Sequence, residues 1–142
     1  MDCSIVTVER QLTAVIKTKV PFDKIPEAQH SARARLADVL PSLDIGTPGA
    51  GCTRFLTPPK DGLDMEIGCI VTCRFQDHDD VVMSDLPAGR AAHFALKGPF
   101  DGLPGAWQTL FDWGVRQGLT FAGINWEIYG ATQDAELYAL LA

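Results

Sequence analysis

Apolar and polar residues alternate with a period of two along several stretches of this chain. Leu12, Ala14, Ile16 and Thr18 take turns with Thr13, Val15, Lys17 and Lys19. Successive strand residues point to opposite faces, so this pattern predicts a strand. A short strand over residues 5–8 precedes it. Met65, Ile67, Cys69, Val71, Cys73 and Phe75 make the cleanest apolar face. Glu66, Gly68, Thr72 and Arg74 share the opposite face with Ile70, which predicts one dry and one wetter side. Ala92, Phe94 and Leu96 alternate with Ala91, His93, Ala95 and Lys97, and residues 124–129 and 136–141 read as two more strands. Two stretches instead follow helical spacing. The first, over residues 26–40, carries Ala28, Ala32, Leu36, Val39 and Leu40 and stops at Pro41. The second, over residues 104–117, carries Ala106, Trp107, Leu110, Phe111 and Trp113 and stops at Gly118.

Both helices open on the same phrase. Pro21, Phe22, Asp23, Pro26 and Ala28 recur in register as Pro99, Phe100, Asp101, Pro104 and Ala106. Proline suits a first helical turn because no N–H is needed there, and it drives the preceding residue out of helical geometry. Asp23 and Asp101 then stand just ahead of the positive helix end. A phrase repeated in the same structural setting points to duplication. The chain therefore reads as one α+β domain over residues 1–142, with two strand–helix–strand–strand units over residues 10–75 and 90–142 facing each other across a groove. Residues 76–89, acidic through Asp77, Asp79, Asp80 and Asp85, read as a solvated linker. Residues 46–51 read as a flexible loop and residues 57–62 as a turn, both placed to line the groove mouth.

Composition changes this picture little. The 142 residues are 46% hydrophobic and 21% charged, ordinary for a globular domain. No apolar run is long enough to span a bilayer and no secretory signal is visible, which makes a cytoplasmic protein the expectation. A net charge of −6 with scattered basic residues argues against direct nucleic-acid binding. The spacing of Cys3, Cys52, Cys69, Cys73 and His78 matches no zinc pattern, so no metal or other cofactor is expected.

The run from His93 to Trp113, with Gly98-Pro99-Phe100 and a tryptophan-bearing helix, followed by Trp126-Glu127-Ile128-Tyr129, resembles the GyrI-like small-molecule-binding domain. That domain also serves as the effector-binding part of AraC-type and MerR-type multidrug regulators. The resemblance implies a duplicated β-α-β-β unit, an antiparallel sheet with two helices on one side and a ligand groove on the other. The chain departs from the family in having Phe100 where tyrosine is common and Lys97 where histidine is frequent. Its strand pattern starts by Ser4, which leaves no room for a preceding DNA-binding segment and suggests a standalone member.

On its strand, Glu127 shares a face with Asn125 and Tyr129. Periodicity alone reads it as a solvated glutamate; the resemblance puts the family's pocket glutamate there. A carboxylate dried by aromatic neighbours would be relieved by an organic cation. The expected ligand-binding residues are Glu127, Tyr129, Asn125 and His93, with Phe55 as an opposing wall and Trp113 closing one end. Most of Trp107, Phe111 and Trp113 are expected in the core. The resemblance implies three functions: holding aromatic or cationic small molecules; hydrolysing cyclopropane-bearing electrophiles, with Glu127 activating water and Tyr129 polarising the carbonyl; or acting as a gyrase-directed protein partner. A homodimer is left open, and no membrane association is expected.

Overall fold

A computed structural model describes residues 3–43, 45–56, 63–130 and 134–142, with Phe22 by its backbone alone. Eight strands form one antiparallel sheet: β1 (Ser4–Val8), β2 (Gln11–Val20), β3 (Gly51–Phe55), β4 (Leu63–Val71), β5 (Val81–Leu86), β6 (Gly89–Leu96), β7 (Phe121–Tyr129) and β8 (Ala135–Leu141). Helix α1 spans Ile25–Val39 and α2 spans Leu103–Arg116. The strand order is β1-β6-β8-β7-β3-β4-β2-β5, so β2-α1-β3-β4 and β6-α2-β7-β8 are like units meeting at the β3–β7 seam. Each helix starts one residue before its proline, at Ile25 or Leu103, after a single 3-10 turn holding Asp23 or Asp101; the proline does not drive that residue out, and Leu103 is helical (φ −58°, ψ −45°).

Both helices cover one face of the sheet. Leu36 and Val39 of α1 pack with Ala14, Cys69 and Val71, while Ala106 and Leu110 of α2 pack with Ala92, Leu137 and Ala139. The small alanines let each helix lie close to its strands. The other face is shaped by chain connectivity. In a flat sheet β1 and β2 would lie about 29 Å apart, at about 4.8 Å per strand. Residues 9–10 alone connect them, and so short a link reaches at most about 11 Å. Residues 87–88 join β5 to β6 under the same constraint. The sheet therefore curls, and its second face closes on itself around Trp126, Cys52, Leu86 and Ala91, with Tyr138 stacked on Trp126. That face holds a core instead of the expected groove.

Four further expectations change. The acidic linker contains β5, whose Val81 and Leu86 are buried. Its valines pair with β2 while the aspartates cluster at its ends. Strand β4 ends at Val71, and Phe75 folds back onto the first-half core. Its polar side is dry as well: Glu66 is 4% exposed, accepts a 2.5 Å hydrogen bond from Ser84 Oγ and lies 3.7 Å from Lys17 Nζ. The loop at residues 46–51 is pinned to β4 by hydrogen bonds from Gly49 N to Ile70 O (2.7 Å) and from Ile70 N to Ala50 O (2.9 Å). The turn expected at residues 57–62 lies outside the described residues. No described helix is long and apolar enough to cross a membrane.

Candidate functional site

The two helices cover their own halves and leave the seam open between them. A cavity of about 1510 Å³ lies there, on the helix-bearing side. Its floor comes from the seam strands, where Thr53 pairs with Glu127 and Phe55 with Asn125. Its walls come from a second face of each helix. Pro26, Gln29, His30 and Arg33 recur at helical spacing on α1, beside the Ala32–Leu36–Val39 stripe that meets the sheet. On α2, Pro104, Trp107 and Phe111 flank the Ala106–Leu110–Gly114 stripe in the same way. Counted from the repeated phrase, Gln29 and Arg33 occupy the positions of Trp107 and Phe111. One wall is thus polar and the other aromatic. Phe100 and Asp101 add to the lining, and Phe100 packs 5.3 Å from Tyr129, ring to ring.

Glu127 is the electrostatic centre of this cavity. It is 5% exposed, and both its oxygens are engaged. Trp107 Nε1 donates to Oε2 at 2.6 Å, and the Tyr129 hydroxyl donates to Oε1 at 2.6 Å. Thr53 Oγ1 stands 2.7 Å from that hydroxyl and accepts from Gln29 Nε2 at 3.0 Å. The donors thus run from Gln29 through Thr53 and Tyr129 to the carboxylate. Burial pushes the Glu127 carboxyl above its ordinary range; the Tyr129 and Trp107 hydrogen bonds and the Arg33 charge pull it partly back. Burial likewise holds the Tyr129 hydroxyl well above its usual value, and the Glu127 charge adds to the effect.

Of the residues expected from sequence, Glu127, Tyr129, Asn125 and Phe55 all line the cavity. Asn125 Oδ1 is buried there without a hydrogen-bond partner. His93 does not join them. It lies on the opposite face of the sheet, 3.2 Å from Glu136 and against the Tyr138 ring, because β6 turns odd-numbered residues away from the helices. Trp113 packs into the second-half core and does not reach the cavity. Trp107 and Phe111 exchange roles with it: they stack at 5.5 Å along the cavity wall, and Phe55 meets Trp107 edge-on at 6.2 Å. Arg33, Gln29 and Thr53 carried no signal beyond helical or strand spacing. Cys52 and Cys69 are buried, and burial pushes the Cys52 thiol up to about 12. No cluster of three metal-ligating side chains occurs among the described residues.

Comparison with known proteins gives a consistent result. The family model of the GyrI-like small molecule binding domain matches residues 1–138. The C-terminal domain of EcmrR is 18% identical, with a TM-score of 0.79 over 99% of this chain and 97% of that one. Against the EcmrR chain in its DNA complex, 19% identical with a TM-score of 0.79, 99% of this chain matches but only 57% of that chain is covered. SAV2435 bound to tetraphenylphosphonium is 11% identical, with a TM-score of 0.73 over 100% of this chain and 94% of that one. A hydrolase from Listeria innocua is 12% identical, with a TM-score of 0.62 over 99% of this chain and 91% of that one. At these identities the likeness is one of fold. No curated protein sequence matches the chain.

Proposed function

Starting from the fact that this chain belongs to the GyrI-like small-molecule-binding family, we propose that its seam cavity holds amphipathic aromatic or cationic small molecules, with Glu127 as counter-charge. The observation that carries this reading is the desolvated carboxylate on an otherwise largely apolar and aromatic lining. Trp107 and Tyr129 supply hydrogen bonds to Glu127 but no positive charge, so an incoming organic cation would supply what they lack. The Trp107, Phe111 and Phe55 rings offer apolar contact and cation–π attraction that impose little direction. The volume exceeds the roughly 300–1000 Å³ typical of drug-sized sites, which suits ligands of varied shape.

The test is titration with tetraphenylphosphonium, read by tryptophan fluorescence, since Trp107 touches Glu127 directly. Saturable quenching is expected, weakened roughly tenfold or more in Glu127→Gln, as suits loss of a buried charge partner. Equal affinity in the two proteins would refute the role of Glu127.

A second reading is favoured by the Glu127–Tyr129 contact. A carboxyl group with a raised proton affinity beside a phenolic hydroxyl is suited to general acid–base work, so hydrolysis of cyclopropane-bearing or similar electrophiles would use the same pair. Turnover abolished in Glu127→Gln would select it. Nothing in the cavity bears on the third reading, a gyrase-directed partner.

A further inference from the structure

We infer that the cavity is bipolar: its ligand carries, beside the cationic or aromatic body, an anionic oxygen group that docks on Arg33. This rests on the cation-binding reading above. Arg33 lines the cavity wall from α1, half-buried. Its guanidinium is held in place by neutral groups. Nη1 donates to Gly68 O at 2.9 Å and Nη2 to Cys52 O at 3.1 Å, with a longer 3.4 Å contact to Thr53 Oγ1. These carbonyls set its orientation without balancing its charge. Among the described residues no carboxylate lies within ion-pair distance of it, Glu127 included. A guanidinium has five N–H donors, so the two carbonyls leave hydrogen-bonding capacity over.

Three features point the spare capacity into the cavity. Gly51 lines the cavity beside Arg33, and a Cβ there would fall 3.2 Å from Nη1, so glycine keeps the approach open. The guanidinium lies over the Tyr129 ring, 5.1 Å from its centre, while the hydroxyl of that ring binds Glu127. One aromatic ring thus separates two opposite charges that act on each other at a distance but form no direct ion pair. Finally, the duplicated positions diverge: Arg33 stands where the second half has Phe111, which makes one wall cationic and the other aromatic. A planar fork recognises a carboxylate better than it recognises a lone carbonyl. The chain's net charge of −6 repels anions at long range, so any preference for an acid must arise locally.

The test uses two ligands with one cationic body: (4-carboxybutyl)triphenylphosphonium and its methyl ester. At pH about 7.5 the wild-type protein is expected to bind the acid about tenfold more tightly than the ester, as suits one charge-assisted contact. Arg33→Gln should erase that preference, so that within the variant the acid and the ester bind about equally. Arg33→Lys, which keeps the charge and loses the fork, should retain part of it. Circular dichroism checks folding; should Arg33→Gln not fold, the wild-type ratio and Arg33→Lys still decide. Ester binding that equals or exceeds acid binding in the wild type overturns this inference and leaves the cation reading standing, as does an acid preference that survives in folded Arg33→Gln. Failure of both compounds to bind overturns the cation reading and this inference together.

Discussion

Glu127 is where local chemistry and stability pull apart. Burial raises its proton affinity in the folded state above the ordinary value near 4.5. The sign follows from linkage. A raised folded-state value adds stability below the ordinary value, and that stability is lost as pH rises through the folded one. Glu127→Gln removes this titration, and its amide can still accept from Trp107 and donate to Tyr129. The variant is therefore expected to melt at a higher temperature than the wild type at about pH 8, with the two curves converging below about pH 4. A wild-type advantage at high pH would show that the two donors and Arg33 fully offset desolvation. Residue spacing alone placed Asn125, Glu127 and Tyr129 on one face, since alternation along a strand is obligatory. Alternation does not say what covers that face, so the Trp107 contact was out of reach.

At the scale of elements, the strands and helices were legible where one face is dry and the other wet. β5 was not, because Val81, Val82 and Met83 form a short apolar run beside Asp79, Asp80 and Asp85, and the charges dominate such a window. The helices were found, but each has two inward faces. Helical spacing shows that Trp107 and Phe111 share a side with Leu110; only packing separates the stripe on the sheet from the stripe on the cavity. β4 shows how close the elements approach. A Cβ on Gly68 would fall 1.8 Å from Ala14 O of β2, a clash with backbone that no rotamer relieves. The Gly68 carbonyl also holds Arg33. Gly68→Ala is expected to destabilise by about 3 kcal/mol or more, read as a lower urea midpoint, because a central strand must move. An unchanged midpoint would mean that β2 and β4 separate easily.

Over the whole molecule, the two units exchange strands. β1 precedes the first unit but pairs with the second, and β5 precedes the second but pairs with the first. Leu86 of β5 is buried against Trp126 of the second half. Asp85 beside it accepts from Arg54 Nη1 at 2.8 Å and from Arg10 Nε at 2.5 Å, tying β5 to β3 and to the β1–β2 link. Neither half can then open without breaking the core of the other. Urea unfolding followed by tryptophan fluorescence and by far-ultraviolet circular dichroism should give coincident, single transitions. Separate transitions would refute this interlock.

By itself the sequence determined both helices, most of the strands though not β5, the duplication, and the shared face of Asn125, Glu127 and Tyr129, because periodicity, proline placement and a repeated phrase are local properties of the chain. Tertiary structure alone decided which side of the sheet stays open, since two-residue links between distant strands force the sheet to close over its other face. It also decided that Trp107 and Tyr129 meet at one carboxylate, with Arg33 stacked over the Tyr129 ring. Those residues come from separate elements, and their meeting depends on how two helices share a curved surface.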